Sequence, residues 1–132
     1  MTKTIFKQII DGEIPADIVY EDEKHLAFLD IFPSGPGHVL VIPKKEYETI
    51  FDMSENEYLE LQKVVLKVAN KVHEEIGGGL NLVQNNYKIA NQIIPHVHFH
   101  IIPRVTEEKF YAGLQYHYKN GEKEEILEKI KF

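Results

Sequence analysis

Three of the seven histidines in this chain of 132 residues lie within five positions, as His96, His98 and His100. Successive side chains of a β-strand point to opposite faces, so the three imidazoles share one face and the apolar residues between them share the other. Side chains two residues apart on a strand are ~6.6 Å from each other. A row of imidazoles at this spacing can follow an extended ligand such as a phosphate chain.

This histidine row allows three interpretations. The first is a solvated strand face without function, which the strict alternation of three histidines disfavours. The second is a metal site, since two histidines two residues apart on a strand can chelate Zn²⁺, but no Asp or Glu lies close in the sequence to complete it. The third is metal-free catalysis, in which one imidazole attacks and its neighbours position and polarise the substrate. The pattern favours the third.

The composition excludes several classes of protein. The chain contains no cysteine, which excludes a thiol nucleophile, a thiolate metal site and disulfide bonds. Its formal net charge is −6, whereas a general nucleic-acid binder needs a surplus of lysine and arginine. No apolar run approaches the ~20 residues that span a bilayer, and the N-terminal residues are too polar for a signal peptide. We therefore expect no nucleic-acid partner, no membrane partner and a cytoplasmic location.

The histidines need a rigid sheet to hold them, and the pattern of the chain predicts one. Short apolar runs separated by turn residues predict strands, and Ser54 with Glu57 forms a capping box at the start of a long helix. Apolar residues recur three or four apart along this helix, which ends at a run of three glycines. The predicted strands cover residues 18–20, 25–31, 38–42, 80–85 and 96–102, and two shorter helices cover residues 4–10 and 124–131.

These elements predict an α+β fold. Tight turns between short strands favour antiparallel pairing, and the long helix must cover one face of the sheet. A chain of 132 residues can bury a core without disulfide bonds, so we expect one domain over residues 1–132 with a sheet of about five strands. Apart from its last helix, the tail of residues 106–132 has no pattern that defines its structure.

The segment from His96 to Ile102 matches the signature of the histidine-triad (HIT) superfamily, in which three histidines alternate with apolar residues and a further apolar residue follows. Other segments resemble the Hint branch of this superfamily in the same order along the chain, namely residues 5–10, 13–16, 20–22, 29–31 and 38–45. The resemblance covers about residues 4–104. It implies a HIT-like fold whose sheet continues across a homodimer.

The resemblance assigns roles to four histidines. It implies that His98 is the nucleophile, which attacks the α-phosphorus of a nucleotide and forms a nucleotidyl-histidine intermediate that water or another acceptor resolves. His100 corresponds to the histidine that contacts the phosphate. His96 corresponds to the one that links the triad to a fourth histidine, here His38. The resemblance implies no cofactor and no metal ligand among these residues.

The resemblance also places the nucleotide. Asn85 and Gln92 match positions that donate to the phosphate, and Asp30 matches the acceptor for the ribose hydroxyls. The remaining residues of the implied nucleoside site are apolar and are Ile31, Phe6, Ile9 and Phe28. Each of these residues also has an ordinary interpretation as part of a turn, a loop or the core, and the sequence leaves both open.

Three features depart from the family pattern. Many HIT proteins have a small residue directly before the glutamine, and this chain has Asn91. Many HIT proteins have Ser or Thr directly after the glutamine, a hydroxyl that reaches the leaving group, whereas this chain has Ile93, which can donate only through its backbone N–H. Many bacterial relatives carry a Cys-x-x-Cys pair that forms half of a structural zinc site, and the matching residues here are Thr4 and Lys7. We therefore expect that zinc site to be missing.

The sequence thus predicts a hydrolase or nucleotidyl transferase that acts on a purine nucleotide whose α-phosphate carries a leaving group. Adenylated amines and dinucleoside polyphosphates are the candidate substrates, and the Hint-like body favours the first. Two alternatives stay open. One is a nucleotide-binding homodimer that regulates other proteins with little turnover, and the other is a zinc-binding protein.

Overall fold

The computed structural model describes residues 2–106 and 115–132. Its five strands form one antiparallel sheet in the order β1-β2-β3-β5-β4. The strands are β1 (Ile18–Glu21), β2 (His25–Leu29), β3 (Val39–Pro43), β4 (Gly79–Gln84) and β5 (Phe99–Arg104), and the helices are α1 (Ile5–Ile10), α2 (Glu55–Ile76) and α3 (Glu122–Ile130). The predicted α+β architecture with a five-stranded antiparallel sheet is confirmed.

The long helix α2 begins at the predicted capping box. The Ser54 hydroxyl accepts from the Glu57 N–H, and the Glu57 carboxylate accepts from the Ser54 N–H, each at 3.1 Å. These two bonds satisfy N–H groups that have no partner within the helix. The buried side of α2 consists of Leu61, Val64, Val65, Val68, Ala69 and Val72.

The sheet is covered on both faces. Along β3, Val39 and Val41 belong to the larger core beneath α2. The alternate residues Leu40 and Ile42 belong to a second buried cluster with Phe6 of α1. The strand therefore has no solvated face, and its continuous apolar sequence reflects burial on both sides.

Strand β5 begins at Phe99, three positions later than the sequence predicts, and continues through Pro103. Proline lacks an N–H and is disfavoured inside a sheet. The ladder with β3 ends at the pair of Val39 and Ile101, however, so no carbonyl of β3 needs a hydrogen bond from the nitrogen of Pro103. The strand can therefore pass through the residue that was expected to end it.

The predicted last helix is confirmed as α3, and the residues after it return to the sheet. Ile130 is fully buried, and the Phe132 N–H donates to the Val19 carbonyl of β1 at 2.8 Å. The ammonium groups of Lys67 and Lys71 lie over the Phe132 ring. Within residues 2–106 and 115–132, no helix has the length and apolar character needed to cross a membrane.

Candidate active site

The three triad histidines lie together on the α1 face of the sheet, where the sequence alternation places them. The ring centroids of His98 and His100 are 4.9 Å apart. Phe6 of α1 packs edge-on against His98 at 5.0 Å and against His96 at 6.0 Å. Val97, between the first two histidines, belongs to the opposite core beneath α2. The period of two therefore extends beyond the hydrogen-bonded strand.

The hydrogen bond of His98 identifies which of its ring nitrogens is free. Nδ1 lies 2.7 Å from the carbonyl oxygen of His96. A carbonyl oxygen only accepts, so Nδ1 carries the proton and Nε2 keeps its lone pair. None of the described residues forms a hydrogen bond with that Nε2 atom. The neutral ring of His98 therefore presents a nucleophilic nitrogen.

His38 and His100 form a hydrogen-bonded pair beside this nucleophile. The Ser34 N–H donates to Nδ1 of His38 at 2.9 Å, so the proton of His38 lies on Nε2. That nitrogen is 2.9 Å from Nδ1 of His100 and donates to it. The proton of His100 must then lie on its own Nε2, which gives this ring one N–H donor for a ligand.

The expected link between His38 and His96 is not formed. β3 and β5 pair in a register that places Leu40 opposite His100, so His38, two residues earlier, lies diagonally across from His100. His96 lies near the opposite end of β3, where its Nε2 donates to the Pro43 carbonyl at 2.8 Å. Its Nδ1 is buried and has no partner among the described residues.

Burial lowers the pKa of all four histidines, because an imidazolium ion loses its solvation inside the protein. Burial, with smaller contributions from His100 and His98, lowers the pKa of His38 to about 3. Burial and the neighbouring His98 lower the pKa of His100 to about 4. The pKa values of His96 and His98 are also lowered by burial, against the opposing effect of their carbonyl acceptors. All four rings are therefore neutral at pH 7, in agreement with their hydrogen bonds.

Asp30 lies beside the histidine pair. Its Oδ1 accepts from the Phe32 N–H at 2.9 Å, its Oδ2 is 3.4 Å from Nε2 of His38, and burial raises its pKa. Asp30, His38 and His100 have ligand atoms close enough to hold a metal ion. A histidine that binds a metal through Nε2 donates from Nδ1, however, whereas Nδ1 of His38 accepts from Ser34. These groups fit a hydrogen-bonded chain better than a metal site.

Asn85, a predicted phosphate donor, directly follows β4, and the register of β4 against β5 extends toward His98. Gln84, the last residue of β4, is opposite Phe99 in β5. One further step along both chains leads from this pair to Asn85 and His98. The Asn85 side-chain amide is 3.5 Å from the Asn91 carbonyl, a long contact that a ligand can replace.

Gln92 and Ile93, the other two residues expected near the phosphate, differ sharply in exposure. Gln92 is buried, its Oε1 accepts from the Tyr87 N–H at 2.7 Å, and its Nε2 donates to the Glu48 carbonyl at 2.6 Å. One of its two amide hydrogens is therefore already committed to the main chain. Ile93 is 86% exposed. Its side chain adds an apolar surface at the position where the family pattern has a hydroxyl.

The apolar residues of the predicted nucleoside site separate into two groups. Phe6 and Phe28 are buried, with ring centroids 5.6 Å apart, and Ile9 packs against the same cluster. Ile31 is 66% exposed instead. The buried group forms an apolar wall, in which Phe6 contacts His98. The Ile31 side chain is exposed at the edge of the site.

A cavity of about 250 Å³ is lined by Asp30, Ile31 and the tail residues 115–118. The Gly37 N–H donates to the Tyr118 hydroxyl at 2.9 Å, which attaches this segment to the loop before β3. The sequence prediction leaves the tail unplaced, and its alternating aromatic residues were the available signal for this contact. A larger cavity of about 430 Å³ lies between the β1–β2 turn and α2, and none of the predicted site residues lines it.

A neutral imidazole with an open Nε2 lies here beside a hydrogen-bonded pair of histidines, an arrangement that suits histidine-based group transfer. The HIT domain family model matches residues 11–107. The chain therefore belongs to the HIT family.

Individual relatives agree with this assignment. An uncharacterized HIT-like protein of Methanocaldococcus jannaschii is 45% identical over 127 residues, which are 96% of this chain and 98% of that protein. The adenosine 5'-monophosphoramidase of Schizosaccharomyces pombe is 41% identical over 104 residues, 79% of this chain and 76% of that protein. A HIT-like protein from Bartonella henselae, described as involved in cell-cycle regulation, superposes with a TM-score of 0.86 at 35% identity and covers 97% of this chain and 93% of its own.

Proposed function

We propose that this protein is a nucleotide hydrolase that cleaves the bond between the α-phosphate of a purine nucleotide and an amine, through a nucleotidyl-histidine intermediate on His98. The observation that carries the proposal is the His98 ring itself, which is neutral, holds its proton on Nδ1 and leaves Nε2 open. The name of the Schizosaccharomyces pombe relative, adenosine 5'-monophosphoramidase, supports adenylated amines as the substrate class. Dinucleoside polyphosphates are the second class to test.

The reaction has two displacements at phosphorus. In the first, Nε2 of His98 forms a bond to the α-phosphorus and the phosphorus–nitrogen bond to the amine breaks. The amine takes its proton from solvent, since the Ile93 side chain has no hydroxyl to offer. In the second, a water oxygen bonds to phosphorus and gives a proton to solvent, the bond to Nε2 breaks, and the nitrogen regains its lone pair.

The surrounding groups suit the charge that moves in these steps. The carbonyl oxygen of His96 accepts a hydrogen bond from the Nδ1–H of His98. This bond stabilises the positive charge that the ring acquires on attack. The Nε2 proton of His100 and the Asn85 amide donate to the non-bridging phosphate oxygens. Asp30 accepts from the ribose hydroxyls through its second oxygen. The two groups that donate to the phosphate, His100 and Asn85, are neutral, which suits phosphate binding by an acidic protein of net charge −6.

We also propose that two chains pair through β4, which is an edge strand of the sheet. Exposed leucines occur on β4, as Leu82, and on α2, as Leu59 and Leu66. A row of unpaired strand groups next to exposed apolar side chains favours strand addition. The cytoplasmic location stays a prediction.

The decisive experiment is the capture of the covalent intermediate. The wild-type protein, mixed with an adenylated amine and analysed by intact-mass spectrometry at neutral pH, should gain the mass of one adenylate, and peptide mapping should place it on His98. His98→Ala should gain no mass and should release amine at least 10³-fold more slowly, because the nucleophile is gone. His73→Ala, which removes an exposed histidine of α2, is the matched control and should behave like the wild type.

The same assay separates the enzyme from a nucleotide-binding regulator. Dinucleoside polyphosphates are tested in parallel with the adenylated amines. If the wild type binds AMP but forms no adduct and turns over no substrate in the panel, the hydrolase proposal is wrong and a binding role replaces it.

A further inference from the structure

His98, the proposed nucleophile, lies outside the hydrogen-bonded sheet, so contacts other than strand pairing must hold it in place. His98 directly precedes the first residue of β5. The chain that leads to it is held instead by the segment between β3 and α2. The Val97 N–H donates to the Tyr47 carbonyl at 2.8 Å, and the Gln92 amide donates to the Glu48 carbonyl at 2.6 Å. Two successive carbonyls thus anchor the two ends of the segment that delivers the nucleophile.

A third contact extends this anchoring to the end of β4. The Ile50 N–H donates to Oδ1 of Asn86 at 2.9 Å, although 36 residues separate them in the chain. The Asn86 amide in turn donates to Oε1 of Gln84 at 2.6 Å. The side chain of Asn86 therefore connects the last residue of β4 with the 3₁₀ turn Ile50–Asp52. Its neighbour Asn85 follows Gln84, whose partner in β5 is Phe99, the residue directly after His98.

The backbone next to Asn86 is strained, and the same contacts hold it. Tyr87 has φ of +73°, a region that residues with a side chain rarely adopt. Gln92 Oε1 accepts the Tyr87 N–H, and the Tyr87 ring stacks on Phe51 of the 3₁₀ turn with centroids 6.1 Å apart. Strained conformations persist only where surrounding contacts impose them, and they concentrate at functional sites.

We name these contacts the clasp: the Tyr47–Val97, Glu48–Gln92 and Ile50–Asn86 hydrogen bonds and the Phe51–Tyr87 ring pair. The clasp joins residues 47–51 to residues 86–97 at four points. Asn86 is its central polar side chain, and it touches none of the four histidines.

We propose that Asn86 is a positioning residue, which acts through the clasp to hold Asn85 and His98 in the geometry for attack on the α-phosphorus. The inference rests on the proposed function for its kinetic test. Misplacement of a reacting group by ~1 Å can lower a rate about 100-fold, so loss of one bond in the clasp should be visible in the chemical step.

The test compares two substitutions at this position. Asn86→Ala removes the acceptor for the Ile50 N–H, whereas Asn86→Asp keeps that oxygen and loses only the donation to Gln84. We expect Asn86→Ala to slow formation of the adenylate on His98 by tenfold or more while the affinity for AMP changes by less than twofold. Asn86→Asp should recover most of the rate.

Ile130→Val, in α3, is the control for a merely destabilising change, because Ile130 is buried and takes part in none of the four contacts of the clasp. It should lower Tm without slowing adduct formation. The proposal is wrong if Asn86→Ala and Ile130→Val form the adduct equally fast when the same fraction of each protein has substrate bound. It is also wrong if the rate of adduct formation in Asn86→Ala falls by the same factor as its affinity for AMP.

A second readout needs no catalysis and so separates this inference from the proposed function. Nitrogen-15 NMR of the imidazole rings should show His98 as a single tautomer with the proton on Nδ1 in the wild type and in Asn86→Asp. Asn86→Ala should convert this signal to an average of two tautomers. An unchanged His98 signal in Asn86→Ala overturns the positioning role whether or not the wild type forms an adduct, whereas absence of the adduct alone overturns only the hydrolase proposal.

Discussion

At the level of single residues, His38 decides which nitrogen of His100 carries a proton. Its own proton is forced to Nε2 by the Ser34 N–H, and it then donates to Nδ1 of His100. His100 can offer its N–H to a phosphate only because its other nitrogen is occupied in this way. His38 thus sets the proton position of its neighbour His100 through this hydrogen bond.

Two substitutions of His38 test this dependence. Glutamine places an amide N–H near the position of Nε2 and can still donate to His100, whereas asparagine places its oxygen near Nδ1 and can serve only Ser34. We therefore expect His38→Gln to keep kcat/KM within about tenfold of wild type and His38→Asn to lose about 100-fold or more, the range for loss of a preorganised donor. The measurement is steady-state hydrolysis of an adenylated amine. Equal losses in the two variants would contradict the assigned proton positions.

At the level of elements, the sequence predicted the helices, the five strands and the shared face of the triad, because period-two and capping patterns are local. It could not predict where β5 begins. His96 to His98 keep the alternation of a strand, but the Val97 N–H donates to Tyr47, between β3 and α2, and not to a neighbouring strand. Whether a stretch with strand-like alternation pairs with a neighbouring strand depends on residues that are distant in the sequence. No local pattern encodes this.

The same limit explains the two results at the site that sequence reasoning did not reach. The partner of His38 follows from the register of β3 against β5, which places His100 and not His96 beside it. The tail residues 115–118 line the cavity next to Asp30 because Tyr118 bonds to the loop before β3. Residue types identified the chemistry, while register and long-range contacts determined which groups meet.

At the level of the whole molecule, four buried neutral histidines make the fold sensitive to acid. The unfolded chain has histidine pKa values near 6.5 and binds protons below that pH, whereas the folded protein holds His38 at about 3 and His100 at about 4. The unfolded state therefore binds more protons between pH ~6.5 and ~4, and the free energy of unfolding falls as the pH falls through this window. Above it, these groups contribute no pH dependence.

Urea unfolding at pH 7.5 and pH 5.0 measures this effect. His38 alone should account for a loss of up to about 2 kcal/mol between these pH values, since 1.5 pH units at 1.36 kcal/mol each separate pH 5.0 from its unfolded pKa. His38→Gln removes the titrating group and should show a smaller loss than the wild type by that amount. Carboxylates with low pKa values, such as Asp22 at about 2, act mainly below this window. An equal pH dependence in both proteins would contradict the burial of a neutral His38.

The proposed homodimer depends on apolar side chains that β4 and α2 present to solvent. β4 is at the edge of the sheet, Leu82 on this strand is 53% exposed, and Leu66 on α2 is 62% exposed. Nε2 of Gln62 on α2 and Oδ1 of Asn81 on β4 are buried without a partner in the described part of the chain. Burying two leucines from each chain contributes roughly 2 kcal/mol per side chain, and pairing of the strand edges satisfies further backbone groups.

Sedimentation equilibrium should therefore give the wild type twice the chain mass of 15.4 kDa. Leu82→Glu should shift the equilibrium to the monomer, because a twofold pairing of β4 brings the two introduced carboxylates close together in a surface that excludes water. Ile89→Glu makes the same change of charge at a side chain that is 97% exposed in the loop after β4, and it should remain a dimer. A wild type that sediments as a monomer would rule out the pairing, and a dimer that survives Leu82→Glu but not Ile89→Glu would move the interface from the strand edge to the loop beside the clasp.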